Sequence, residues 1–454
     1  MKLQLSEIAQ AVSGRLIGDD LCVQGVSIDT RQLQAGNLYV AIKGHQFDGH
    51  EFVAQAQAAG ASAILVDRVL KTELQQIIVA DTRLALAELA GYWRSKLAVS
   101  VVGVTGSNGK TTVKEMLATV LATAGETLST RGNLNNDIGV PLTLLRLTPE
   151  HKFAVIEMGA NHPGEIAFTS AYARPEISVI TNVGRAHIAG FGDLQGVAKT
   201  KAEIVEAMSM DGTAVLNADD EFFPYWQDVA AGRQIRSFGL SKTADIHAEH
   251  VFSELTDHGY QTRFDIHVPN TEPVVCYLNL AGEHNVRNAL AVVAVATHLG
   301  LTLQQITTAL ASIKPVTGRM QPLKGRKGNI VIDDTYNANP SSLKAAIEAL
   351  RPDAENWVVL GAFGELGPDS EAVHGEMGYS LKQMPVKRLF ATGELARHTV
   401  TAFGEGAEYF ETQEQLISAL NQALNGTETL LVKGSRSQKM ENVVASLVDN
   451  FRAA

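Results

Sequence analysis

Residues Gly106-Ser-Asn-Gly-Lys-Thr111 have the make-up of a phosphate-binding turn. Two glycines let backbone N–H groups fold around an anion, the lysine adds a compact positive charge, and the threonine hydroxyl is a ligand for Mg²⁺. Before the turn, Val101-Val-Gly-Val104 reads as an apolar strand. After it, Val113, Met116, Leu117, Val120 and Leu121 recur at helical spacing, and Gly125 marks a stop. Strand, turn and helix in that order aim the positive end of the helix dipole at the phosphate. The spacing departs from G-x-x-x-x-G-K-[ST], because Val104 stands where the first glycine belongs. The expectation is a nucleoside triphosphate held by Gly106, Ser107, Asn108, Gly109, Lys110, Thr111 and Thr112.

Other groups able to work on that phosphate follow later apolar runs. Glu157 closes the run Phe153-Ala-Val-Ile156 and could hold a Mg²⁺ that also meets the triphosphate. His187 follows Thr181-Asn-Val-Gly184, at the end of the next run. In Ala198-Lys-Thr-Lys-Ala-Glu-Ile204, two lysines could neutralise transferring phosphate, or form a solvated helix face. Arg319 could bring a cation to the γ-phosphate from another domain. Asp333-Asp-Thr-Tyr-Asn-Ala-Asn-Pro340 combines carboxylates, amides and an aromatic ring that suit ribose and base, with Pro340 placed to open a helix. Lys433-Gly-Ser-Arg436 is a basic turn suited to a carboxylate or phosphate. Each segment alone also reads as an ordinary polar loop or surface; their shared position at strand ends is what argues for a site.

Positioning these groups takes a large scaffold. The 454 residues suggest about three domains. The first, 1–97, mixes short strand-like pieces (Leu38–Ile42, Ala63–Val66, Gln76–Val79) with an alanine-rich helix near 52–59. From 98 to 313, apolar strands alternate with helices, as in a buried parallel sheet. Residues 246–280 alternate apolar and polar, as in Thr262-Arg-Phe-Asp-Ile-His-Val268, and suggest an antiparallel insertion. An alanine- and valine-rich helix covers about 285–299. The third domain, 314–454, restarts the pattern with strands at 330–332, 357–360, 388–391 and 429–432, a second doubly wound sheet. The fold class is α/β.

Composition sets the broad class. Hydrophobic residues make up 45% and charged residues 19%, ordinary for a globular protein with sizeable cores. Lys+Arg 38 against Asp+Glu 49 leaves a net charge of −11, which argues against a general nucleic-acid binder. Cys22 and Cys276 form no metal or redox spacing and read as free thiols. No apolar signal core opens the chain and no apolar run is long enough to span a membrane. A cytoplasmic protein with no membrane partner is expected.

Taken in order, the turn 106–111, Glu157-Met-Gly159, His187, Lys201, His284-Asn-Val-Arg-Asn288, Gly318-Arg319 and 333–340 resemble the Mur ligases of peptidoglycan synthesis over essentially the whole chain. The shortened turn with Val104 resembles the family's variant. Arg131-Gly-Asn-Leu-Asn-Asn-Asp-Ile-Gly-Val-Pro-Leu142, Asp334–Asn339 and Val432-Lys-Gly-Ser-Arg-Ser437 resemble the members that add a dipeptide. The Asp-Asn-Pro-Arg signature of the members that add diaminopimelate or lysine is missing. The resemblance implies a three-domain architecture with a central P-loop sheet and a C-terminal Rossmann-like domain. It implies an ATP-dependent ligase that joins D-Ala-D-Ala to UDP-MurNAc-tripeptide through an acyl phosphate, acting as a monomer in the cytoplasm.

Roles follow residue by residue from the same resemblance. Lys110 and the turn amides hold phosphate; Thr111 and Glu157 bind one Mg²⁺ and His187 a second. Lys201 matches the lysine that the family carbamylates into a metal ligand, with Lys199 the alternative two residues away. Asn285 and Asn288 meet adenine. Asp334, Tyr336 and Asn337 meet the nucleoside, and Arg319 the γ-phosphate. Ser27, Thr30 and Arg31, with Phe47 and His50, resemble the UDP-sugar pocket. Thr130, Asn133, Asn135 and Asn136 continue it towards the peptide, and Lys433, Ser435 and Arg436 complete the substrate side. The chain departs from its relatives at Gly361-Ala-Phe363, where they carry Gly-Asp-Met; Glu365 is the nearby carboxylate that could compensate. Another amino-acid ligase of the Mur and folylpolyglutamate synthetase superfamily, or a P-loop ATPase switch, are the competing readings. Because the nucleotide groups are split between two domains, an open unliganded chain is expected.

Overall fold

The computed structural model describes residues 1–44, 46–184, 188–256, 259–449 and 451. Its centre is a nine-stranded sheet. The strand Ser100–Thr105 lies between Phe153–Glu157 and Ile177–Ile180, all parallel. Thr127–Ser129 flanks the first of these neighbours, and Thr213–Asn217 then Gln234–Gly239 extend the other side. The central three are largely apolar because both faces are covered. Val101, Ala154 and Ile156 pack with Ile166 and Val197 of the helices Glu165–Ala173 and Leu194–Glu206. Val102, Val104 and Val155 pack with Met116, Leu117, Val286 and Val293 of the helices Lys110–Ala122 and Glu283–His298.

The chain passes from Ser100–Thr105 out to one side and then crosses to the other. The crevice at a sheet's binding edge opens where the order reverses, and the turn 106–109 stands there. The antiparallel segment is not a separate insertion. Ile246 pairs in parallel with Phe238, and the strands Ile246–Thr256, Gly259–His267 and Val274–Leu278 continue the same sheet to its edge.

A five-stranded sheet built from residues 15–78 precedes it, with Leu38–Val40, Ala63–Val66 and Gln75–Ile78 at its centre. The helix expected near 52–59 is Val53–Ala58, entered through a 3-10 turn at Gly49–Phe52. The helix Thr82–Ser95, capped by Asp81 accepting from the Arg83 and Leu84 amides at 2.8 and 3.1 Å, bridges onward. Its Leu86, Leu89 and Trp93 share one core with Leu65 behind and Leu144 and Ile166 ahead.

The last sheet has six strands. Ile330–Asp334, Glu428–Lys433, Glu355–Gly361, Arg388–Thr392 and Ala407–Phe410 run parallel, with Gln321–Lys324 antiparallel at one edge. Helices cover both faces. Asp334 and Lys433 are register partners at the carboxyl edge, which borders the same cleft as the phosphate turn. The chain is closed there rather than open: Asn339 donates to the Asn108 side chain at 2.9 Å, and Asn108 donates to Ser341 at 3.1 Å.

Candidate active site

The turn 106–109 is built around two glycines that nothing larger could replace. Gly106 has φ +145°, and a Cβ there would stand 1.9 Å from Thr181 Oγ1. Gly109 has φ +82°, and its Cβ would meet Asn288 Oδ1 at 2.4 Å. Close approach of backbone to backbone, and room for an anion, both follow. The next strand end braces the turn. Asn182 Oδ1 accepts from the Asn108 amide at 2.9 Å, and Thr181 Oγ1 donates to the Asn108 carbonyl at 2.6 Å. Lys110 Nζ donates to the Gly106 and Ser107 carbonyls at 2.7 and 3.3 Å. Burial lowers its pKa, the Glu157 charge opposes that, and Arg319 adds to it. A lysine so held gains from an anion placed beside it.

Glu157 lies at the end of its strand, almost fully buried. Its Oε1 accepts from Asn135 at 2.8 Å, while Oε2 is buried with no protein partner. A desolvated carboxylate oxygen without a donor is costly, and a divalent cation between it and the Thr111 hydroxyl would satisfy it. The residues present therefore fit Mg²⁺. Thr130 stands behind: its hydroxyl accepts the Glu157 amide at 3.0 Å, and its carbonyl accepts from the buried Lys114 at 2.9 Å. Helix Leu194–Glu206 turns Lys199 to solvent and Lys201 into the core. Burial first, then the Lys110 charge, lower the Lys201 pKa to about 7, and the amine sits 5.4 Å from the centre of the Phe191 ring.

The opposite wall comes from the last sheet. Arg319 Nη2 donates to Thr111 Oγ1 at 3.1 Å, and its guanidinium lies 4.4 Å from the Tyr336 ring centre. Its Nε is buried without a partner. Asp334 accepts from the Met320 amide at 3.2 Å and from Lys433 Nζ at 2.5 Å; the same ammonium donates to the Asn337 carbonyl at 2.9 Å. Lys433 thus fixes the loop that carries Tyr336 and Asn337. His284, whose pKa burial lowers to about 4, also lines the cleft. Asn285 donates to the Ala281 carbonyl, and Asn288 to Asn285 Oδ1.

The resulting cleft holds about 780 Å³. It brings together Ser107, Asn108, Gly109, Lys110, Thr111, Thr112, Asn133, Asn135, Asn136, Glu157, Asn285, Asn288, Arg319, Asp334, Tyr336, Asn337, Lys433 and Arg436. Gly106, Thr130 and Lys201 lie outside its lining, and Ser435 is occupied with the Ala362 carbonyl at 2.8 Å. His187 lies outside the described residues. Ser27, Thr30, Arg31, Phe47 and His50 do not line this cleft. Ser27 donates to the Asp29 carbonyl, Arg31 is paired with Asp29, and both ring nitrogens of His50 are taken up by Asp48 and Asp67. Phe47 is two-thirds exposed.

At Gly361-Ala-Phe363, where the resemblance led us to expect an acid, the Ala362 methyl is buried, the Phe363 amide donates to His374 Nε2 at 3.0 Å, and Glu365 lies at the surface outside the cleft lining. Sequence reading gave no role to Asn182, His284 and Asn339, which lie within motifs it singled out, and passed over Lys114 and Ser341. Only Asn339 carried a local sign, an Asn before Pro340 in an N-cap position; it accepts from the Ser342 amide at 2.8 Å.

Known domain families match along the chain: Mur ligase family, catalytic domain at residues 22–94; Mur ligase middle domain at 104–296; and Mur ligase, glutamate ligase domain at 318–436. The Escherichia coli (strain K12) UDP-N-acetylmuramoyl-tripeptide–D-alanyl-D-alanine ligase is 43% identical over 454 residues, covering 99% of both chains. The crystal structure of MurF from Acinetobacter baumannii superposes with a TM-score of 0.92 at 36% identity, covering 98% of both chains. MurF ligase from Thermotoga maritima in complex with ADP superposes at 0.84 with 29% identity, over 93% of this chain and 97% of that one.

Proposed function

The chain belongs to the Mur ligase family, and from that premise we propose how its cleft works. It is an ATP-dependent ligase that adds D-alanyl-D-alanine to UDP-MurNAc-tripeptide in peptidoglycan precursor synthesis. One observation carries the reading of the cleft: Arg319 from the last sheet reaches Thr111 of the phosphate turn, beside a buried carboxylate oxygen that lacks a partner. Charge from two sheets converges where a γ-phosphate would leave.

The turn amides and Lys110 hold the triphosphate, with the helix N-terminus behind them. Arg319 meets the charge that develops on the transferring group. Thr111 and Glu157 would hold Mg²⁺, which would supply positive charge against the transferring phosphate; a second ion on His187 belongs to the same proposal. The tripeptide carboxylate accepts the phosphoryl group, the dipeptide amine attacks the acyl phosphate, and inorganic phosphate leaves. The protein supplies no covalent nucleophile; it orients three ligands and keeps water out.

Carbamylation of Lys201 adds a carboxylate at that position, and an amine with a pKa of about 7 is uncharged often enough to take up CO₂. Asn285, Asn288, Asp334, Tyr336 and Asn337 take the nucleoside; Asn133, Asn135, Asn136 and Arg436 take the tripeptide side. Ser27, Thr30, Arg31, Phe47 and His50 take the UDP-sugar, with Thr130, Lys433 and Ser435 supporting. The working units are 1–97, 98–313 and 314–454, in a monomer. Among the described residues no helix is long and apolar enough to cross a membrane, in keeping with our proposal of a cytoplasmic enzyme.

Incubation with UDP-MurNAc-tripeptide, D-Ala-D-Ala and Mg-ATP should release phosphate only when all three are present. Equal release without the dipeptide would overturn the ligase mechanism in favour of an ATPase switch, and preference for another amine would mark a different acceptor.

A further inference from the structure

The antiparallel strands at the edge of the central sheet carry a group of side chains that the ligase reaction does not use. In Gly259–His267 every second residue packs inward, Phe264 and Ile266 among them, and at the start of Ile246–Thr256 Ile246 and Ala248 do the same. The alternate positions face outward, and there His247 and His267 are direct register partners while Glu249 follows His247 on the same face. The two imidazole rings stack 4.7 Å apart, with planes 7° from parallel. Glu249 lies between the ring nitrogens: Oε1 is 3.9 Å from His247 Nε2, and Oε2 is 3.9 Å from His267 Nε2. One ligand atom from each residue lies within 4.8 Å of the others.

We propose that His247, Glu249 and His267 form a surface site for a divalent transition-metal ion, with Zn²⁺ as the best-fitting case. Imidazole and carboxylate donors in threes, with a fourth position left to water, are what zinc accepts. Metal–ligand bonds of about 2.0–2.1 Å in a tetrahedron place ligand atoms about 3.4 Å apart. The 3.9 Å contacts run to different oxygens of Glu249, and the three ligand atoms lie within 4.8 Å of one another, so the group closes by up to about 1.4 Å as the stacked rings turn to aim both nitrogens at the ion.

Orientation supports the choice. His247 Nδ1 lies 3.3 Å from the Ala244 carbonyl. A proton shared there leaves Nε2 bare and facing Glu249, the arrangement by which metal-bound histidines are usually fixed. The neighbouring cation is Lys242, which pairs with Glu249. Its side chain is three-quarters exposed, so it gives way to a divalent ion at little cost. Mg²⁺ prefers oxygen ligands and an octahedron, so the two histidines separate this site from the nucleotide cleft. A bound ion would clip the two strands together where the sheet changes from parallel to antiparallel.

The test uses the full chain, stripped with a chelator and returned to millimolar Mg²⁺ to fill the oxygen-rich cleft. ZnCl₂ is titrated against a chromophoric chelator. One equivalent of Zn²⁺ should bind, and His267→Ala and His247→Gln should each weaken it about tenfold or more. Glu157→Gln should retain that equivalent, and ligase turnover of His267→Ala with Mg-ATP should match the parent. Zinc uptake unchanged in both histidine variants, or lost only in Glu157→Gln, overturns the proposal. If the variants fold poorly, histidine side-chain NMR on the unaltered chain decides. Two histidines shifting together at one equivalent supports the site, and none shifting overturns it.

Discussion

The nucleotide cleft and the polar segments of the N-terminal unit were read from the same kinds of residue, yet the structure treats them differently. In the cleft, groups separated by hundreds of positions converge: Thr111 with Arg319, Asn108 with Asn339. Some are left wanting, as Glu157 Oε2 and Arg319 Nε are buried without partners. In the N-terminal unit the candidates find partners close by. Ser27 and Arg31 bond to Asp29, two residues from either, and His50 is held between Asp48 and Asp67. A buried polar group without a partner stores an unpaid desolvation cost that a ligand can relieve. A group already paired must exchange one partner for another, and gains less. The cleft should thus be where substitution costs most, and the N-terminal segments where it costs least.

Lys110→Ala is the most severe challenge to that contrast. It removes the one ammonium that the turn wraps, and acceptor-dependent phosphate release should fall about 10³-fold, the upper range for loss of a preorganised charge. Melting temperature should hold or rise, because a buried lysine with a lowered pKa costs stability rather than supplying it. A variant with near-normal turnover would remove the cleft from the chemistry.

Lys201→Ala should cost about 10²-fold and recover in part when a short carboxylate such as formate is added, since the small acid can occupy the space of a carbamate. Lys199→Ala, on the exposed side of the same helix, should keep most of its activity. A dead Lys199→Ala beside an active Lys201→Ala would reverse the assignment. Arg319→Ala should cost about as much, chiefly in kcat, and Arg319→Lys should restore little. A lysine cannot both bond the Thr111 hydroxyl and lie flat against Tyr336.

Much of this contrast was legible in the chain. Gly106, Lys110, Glu157 and Asp334 sit where apolar runs end, and strand ends of a parallel sheet share one edge. Spacing therefore put Gly106, Lys110 and Glu157 on one edge, while Asp334 belongs to the other sheet and was joined to them only by the family resemblance. The antiparallel strands at 246–278 were legible as alternation, but their attachment to the central sheet was not, because the pairing of Phe238 with Ile246 is a tertiary fact. The strands Gln321–Lys324 and Ala407–Phe410 went unread for a related reason: both are short edge strands without a fully apolar face. Lys114 was invisible too. On an apolar helix face it looks like a solvated lysine, and the Thr130 carbonyl and the Glu115 carboxylate against it satisfy the buried ammonium. Asn108, Asn339 and Ser341 are ordinary polar residues whose meaning lies in their contact across more than 230 positions.

That contact sharpens the comparison at a smaller scale. Asn108→Ala removes its bonds to Asn339 and Ser341, leaving the Arg319 bond to Thr111, and should lower kcat about tenfold by loosening closure. Asn339→Ala should do the same and also cost about 1 kcal/mol in stability, because Asn339 caps the helix Pro340–Glu348. If only Asn339→Ala affected kcat, the cap and not the cross-cleft bond would be responsible.

The mildest effect is expected at Arg31, and it is the most informative about the N-terminal unit. Its guanidinium is largely exposed, and Asp29 is its partner two residues away. Such an exposed pair adds little to the fold, so Arg31→Ala should leave the melting temperature unchanged. If the guanidinium instead leaves Asp29 for a diphosphate, the KM for UDP-MurNAc-tripeptide should rise several-fold while kcat and the KM for ATP stay put, the mark of an interaction made equally in ground and transition states. Asp29→Ala then separates the two roles. Freed from its partner, Arg31 would bind the nucleotide sugar as well or better, and the KM should fall or hold. A rise in KM for both variants would mean that the pair itself shapes the pocket, and that being paired in the free chain does not identify a residue as structural.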